Sequence, residues 1–207
     1  MSYRAGRTRW KRFAALLVPG VMATAALGVG MAQGALAVSF FVSGHEFQLA
    51  ADTLDARGLS IYGMVDVARK GTLIPVVVTG ARRASITGLC QSVVMQIPVL
   101  GPYTLTFTGG ERRPIETTNL FIDATTELAG QANFKDLDIG VAAGALTKGP
   151  VDPGDRNSRF FDPDGFAQQA ASASLTNVRV HAVAVSATTF NVPGLAARVR
   201  QGAHDCF

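Results

Sequence analysis

Apolar and polar side chains alternate with a period of two through much of the chain beyond Val38, and that rhythm restricts the fold more than any other feature. Phe47, Leu49 and Ala51 alternate with Gln48 and Ala50. Leu59, Ile61, Gly63, Val65 and Val67 alternate with Ser60, Tyr62, Met64 and Asp66. The same pattern returns at Tyr103–Phe107, Leu137–Val141 and Val178–Ala184. Successive side chains of a strand point to opposite faces, so each stretch predicts a half-buried strand. Leu73–Val78 is uninterruptedly apolar and predicts a strand covered on both faces. Helix signals are few. Asp162-Pro163 has the form of an N-cap followed by proline, which predicts a helix over 164–173. A second short helix is expected from Pro193 to Gln201, with Leu195 and Val199 on one face. Lys148–Pro163 is rich in Pro, Gly and Asp and reads as a long loop. The expectation is a mainly β domain over 38–207: a sandwich, a curved sheet or an irregular β-solenoid, with one or two short helices. Ala84-Ser85-Ile86-Thr87-Gly88-Leu89 is echoed by Ala173-Ser174-Leu175-Thr176-Asn177-Val178, and more loosely around Asn119-Leu120 and Asp136-Leu137. The irregular spacing favours a sandwich or curved sheet over a solenoid.

Charge separates the chain into two parts. The formal net charge is +4, yet Arg4, Arg7, Arg9, Lys11 and Arg12 precede the first acid, and the chain from Val38 carries 14 basic against 15 acidic residues. The body is nearly neutral, which removes the reason to expect a nucleic-acid partner. An apolar run from Phe13 to Ala37 follows the basic end and closes on Ala35-Leu36-Ala37. This is the order of a secretory signal, with cleavage expected before Val38. Uncleaved, residues 1–37 would instead anchor the protein to a membrane. Both readings export the body by the general secretory route, to the cell envelope or beyond. There, the two cysteines, Cys90 and Cys206, are expected to form one disulfide.

Catalytic signals are weak. No G-x-S-x-G nucleophile turn occurs, and His45, His181 and His204 are the three histidines available as a base. Ser43, Ser85 and Ser92 are the candidate nucleophiles, with His45 or His181 as partner. Asp152, Asp155, Asp162 and Asp164 gather oxygen ligands of the kind calcium prefers, but without the spacing of an EF-hand loop. A solvated, turn-rich loop is the favoured account of them, and no metal site is assigned. The pairs Arg82-Arg83 and Arg112-Arg113 could touch lipid phosphate or wall polymer, or simply flank strand ends. No phosphate-binding glycine loop or dinucleotide fingerprint appears, so no cofactor is expected.

The stretches TRWKRFAALLVPGVMA, ASITGLCQSVVMQIPVLGPYTLTFTGG and TTNLFIDATTELAGQANFKDLDIG resemble an actinobacterial family of exported proteins, some of them named cholesterol esterase. The resemblance implies sterol-ester hydrolysis. The residues alone leave three readings: an ester hydrolase acting on apolar lipid, a non-catalytic envelope protein that binds lipid, and a structural partner for a membrane protein.

Overall fold

The computed structural model describes Ser43 and residues 45–207. The basic leader and the Ala35, Ala37 and Val38 cleavage site lie outside the described residues. Nine strands build one antiparallel sheet: β1 (Phe47–Val67), β2 (Leu73–Thr87), β3 (Leu89–Ile97), β4 (Gly101–Gly109), β5 (Ile115–Leu128), β6 (Gln131–Ala142), β7 (Phe166–Ser186), β8 (Thr189–Asn191) and β9 (Ala196–Gln201). Their order is β6-β7-β5-β2-β1-β3-β4-β9, and β8 adds to β5. A further pairing of β7 with β1 makes the sheet curl until β1, β2, β5 and β7 form a closed ring. The mainly β expectation therefore takes the form of a curved sheet, whereas a solenoid would have stacked parallel strands.

The strands are longer than the sequence windows because the alternation changes phase within them. Interior residues of β1 step from Leu54 and Ala56 to Leu59 and Ile61, and those of β7 step from Ala170 to Ala173 and from Leu175 to Val178. Each step of three marks a kink. Asn119, Arg82, Gly58, Ala171 and Asp136 face one another across β5, β2, β1, β7 and β6, at the level where each ladder skips a residue. Gly58, Asn119 and Asp136 on alternate strands take φ values of 66°, 47° and 53°. Glycine, asparagine and aspartate are the residues that tolerate this left-handed conformation. The repeated motifs thus mark kinks, with Gly88 and Asn177 at a second level beside Asp52.

These steps also correct the helix expected over 164–173. Ala167, Ala170 and Ala173 have helical spacing, but they are buried strand residues on either side of a kink in β7. The helix expected from Pro193 to Gln201 is likewise β9, where Leu105 pairs with Val199. The one short α-helix among the described residues, α1 (Pro153–Arg156), lies inside the predicted loop and is capped by Asp152. Leu73–Val78 is covered on both faces in its second half alone. Val76 and Val78 enter one core and Val77 packs on the other, while Leu73 is exposed.

The first core fills the ring with Leu54, Leu59, Ile86, Ile115, Leu120, Ile122 and many alanines. Small side chains suit an interior enclosed by so few strands. The second core lies outside the sheet, where a strap (residues 143–165) covers Tyr62, Met64, Val76, Val78 and Phe121 with Ala143, Leu146, Val151 and Phe161. The strap crosses the row of kinks. Arg82 donates from Nε to the Lys148 carbonyl (2.9 Å) and from Nη2 to that of Thr147 (2.9 Å). Gln169 Oε1 accepts from the N–H groups of Thr147 and Lys148, and Lys148 Nζ binds Asp136 and Asp138 at 2.9 Å. A Cβ on Gly149 would collide with the backbone of Leu59 and Ser60. Gly149→Ala should therefore unseat the strap and lower stability by about 2–3 kcal/mol in urea denaturation. An unchanged midpoint would show that the strap does not rest on β1.

Candidate functional site

Three places among the described residues bear on the candidate chemistry. The first is an apolar cavity of about 160 Å³ at the Leu128 end of the ring, lined by Leu54, Ile61, Ile122, Phe134, Val180 and neighbours, with Thr79 and Glu127 as its polar members. A register shift between Ala124 and Thr126 advances the phase of β5, so Glu127 follows Ala124 towards the interior. Thr79 Oγ1 donates to Glu127 Oε2 at 2.7 Å. Burial pushes the Glu127 carboxyl above its ordinary range, and the Thr79 hydrogen bond offsets part of that rise. Neither β5, which carries this carboxyl, nor the bulge that turns it inward was visible as alternation in the sequence.

The second place is under the edge of the strap. Tyr62, at the end of β1, donates to Asp155 Oδ2 (2.7 Å) and accepts from the Asp152 N–H (3.0 Å). Burial, and then the Asp155 charge, push the Tyr62 phenol upward. Asp66 and Asp123 project from the same sheet face towards Asp152 and Asp155. Burial raises Asp123 to about 8, with Asp66, Asp155, Asp152 and Glu127 adding to the rise. Burial and Asp152 raise Asp66 to about 6. Asp155 also rises to about 6, chiefly through burial and against the Tyr62 hydrogen bond. Among the described residues the ion pairs are those of Lys148, so no cation pairs with this cluster. Of the four aspartates singled out in the sequence, Asp152 and Asp155 meet here. Asp162 instead accepts from the Asp164 N–H in an exposed turn. The described residues contain no group of three or more His, Cys, Asp or Glu side chains placed to hold a metal ion.

The third place is an open polar groove on the outer face of the ring, where Ser85 donates to Glu116 at 3.0 Å. Ser43 accepts from the His45 backbone N–H, at the start of the described chain, rather than meeting the imidazole. Ser92 and His181 stand on either side of Gln48, so one whole strand separates them. The final residues cross this row. Ser92 Oγ accepts from the Cys206 N–H (3.0 Å), Gln48 Oε1 accepts from the Phe207 N–H (3.2 Å), and the His181 ring meets the Phe207 ring edge-on. Cys90 and Cys206 are joined in a disulfide beside them. None of the candidate serines has a histidine ring as its hydrogen-bond partner among the described residues. No helix among those residues is long and apolar enough to cross a membrane.

A family model described as "Family of unknown function (DUF6230)" matches residues 43–207. No curated protein and no solved structure matches the chain.

Proposed function

We propose, for a chain that belongs to this family of unknown function, a non-catalytic role outside the cytoplasm: binding the end of a lipid alkyl chain in the cavity beside Glu127. The carrying observation is a space of about 160 Å³ lined by aliphatic and aromatic carbon, with one hydrogen-bonded carboxyl at its wall. An apolar cavity of roughly 150 Å³ accepts a benzene-sized guest. Sites for drug-sized ligands run from about 300 Å³ upward, so a sterol nucleus is too large while a short alkyl segment is not. The Glu127 carboxyl, held by Thr79, places hydrogen-bonding oxygens at the wall to meet a hydroxyl at the head of such a chain. The basic leader, the apolar run and the disulfide support export. Sterol-ester hydrolysis, the activity implied by family resemblance, requires a serine activated by a nearby base, and it is the rival the experiment addresses.

The full chain, exported by a secreting host, should bind 1-hexanol with a dissociation constant of about 1 mM in protein-observed NMR. The resonance changes should centre on Val180, Ile122 and Phe134. Val180→Phe fills the space and should abolish them. Hexanol that leaves these resonances unmoved would sink the binding reading. Turnover of a steryl ester, lost on labelling one serine, would replace it with the hydrolase.

A further inference from the structure

Strands β3, β4 and β9 form an arm that leaves the ring, joined to β1 by pairing at Gln48–Ala50 alone. From Leu89 to Gly110 the arm carries no charged residue. Pairing sets Val93, Leu105 and Val199 side by side, then Met95 beside Tyr103, then Ile97 beside Gly101, all on one face. These apolar side chains are half-exposed or exposed, and neither core includes them. The opposite face is covered, since Thr104 and Ser92 are buried beneath the final residues. The tip is more unusual. Ile97, Val99 and Leu100 are 37%, 104% and 57% exposed, and Val99 has φ 73°. That turn position calls for glycine, and a β-branched residue is the worst fit there. Neither the backbone nor the core gains from a valine at this point.

We propose that this hairpin tip inserts into the interface of an anionic lipid membrane. The charges near the tip select that occupant. Arg200 pairs with Thr104 and Arg198 with Thr106, both on edge strand β9, which bears no acid. The segment after β9 adds Asp205, and the edge stays net positive. Three residues separate Gly101 from the level of Arg200, a distance of about 10 Å along a strand. Interfacial apolar groups sit roughly 5–10 Å deep, so an inserted tip brings the Arg200 guanidinium to the phosphates. Tyr103, one step short of that level, sits where amphipathic rings gather at the water boundary. The surface differs from the alkyl-chain cavity, and either reading can fail without the other.

The test uses the full chain with Trp10→Phe, which removes the single tryptophan, and Leu100→Trp at the tip. Vesicles of phosphatidylcholine and brominated phosphatidylglycerol should shift the tip emission to the blue and quench it. A tryptophan placed by Ile139→Trp on β6, at the other end of the strand order, should keep its emission. Arg198→Gln and Arg200→Gln should each weaken partition roughly fivefold, and phosphatidylcholine alone should bind less well. Val99→Gly, which relieves the turn, should raise the melting temperature while weakening partition. Tip emission that is unmoved by vesicles overturns the proposal, even if the leader holds the protein on the membrane. Emission already blue without lipid, in a concentration-dependent manner, also overturns it by identifying a second copy as the occupant.

Discussion

At pH 8.5 the Asp123→Asn protein should melt roughly 5–10 °C above the parent, and at about pH 3.5 the two should melt together. The carboxyl titrates near 3.8 when free and at about 8 in the fold. The folded chain therefore keeps a proton that the unfolded chain releases. Linkage makes this contribution complete below about pH 4 and removes it as pH climbs towards 8. Asp66 and Asp155, both raised to about 6, lose theirs earlier on the same climb. Every tenfold gain in proton affinity on folding corresponds to about 1.4 kcal/mol, and solvent at a partly exposed cluster reduces that, leaving about 2–4 kcal/mol for Asp123. The structural reason is first the burial of Asp123 and then the mutual approach of Asp66 and Asp123 on the sheet and Asp152 and Asp155 on the strap. An amide at 123 removes one charge from that group at high pH and none at low pH. Melting curves collected from about pH 3.5 to 8.5 decide the matter. Parallel curves for both proteins would mean that Asp123 is solvated and free of its neighbours.

The same cluster shows how far the sequence could be read. Asp152 and Asp155 stood out through their crowding in a turn-rich segment, and α1 holds them together. Asp66 lay in a stretch of ordinary alternation, and Asp123 in β5, whose sequence shows no such run. Only the β2–β5 and β1–β2 registers place them on the face the strap covers. Period two revealed where strands run, because a half-buried surface imposes it locally. It could not reveal that β1 is continuous through Gly58, since a left-handed residue flips the inward face and interrupts the pattern it belongs to. The Ala-rich start of β7 failed for a related reason: a kink spaces its buried alanines by three, and a helix does the same. Glu127 was hidden by a register shift that leaves no mark on composition. The disulfide was legible from two cysteines in a chain expected to be exported, but the arm it belongs to was not.

Replacing both Cys90 and Cys206 with serine should cost about 4–5 kcal/mol, the loop-closure entropy of a crosslink spanning 116 residues. For a domain of this size that is roughly 10–20 °C of melting temperature, the largest single effect expected here. The figure assumes that β3 and the final residues separate when the chain unfolds, and the topology makes that assumption testable. Cys90 is in the short ladder joining β3 to β1, and Cys206 follows β9 at the far edge of the arm. Without the bond, the last residues keep hydrogen bonds to Thr104, Ser92 and Gln48, with Arg179 and His181 against the Phe207 ring. Those contacts are local and exposed at one end. If the crosslink acts on the unfolded chain, loss should appear uniformly in hydrogen exchange, including the buried amides of β1 and β7 in the ring. If it acts by pinning the final segment, exchange should quicken in β3, β4 and β9 while the ring stays protected and its melting barely moves. The first pattern is expected, because the loop encloses β4 through β9 and so β5 and β7, two of the four strands of the ring. Fast exchange confined to the arm, with an unchanged melting temperature, would refute it.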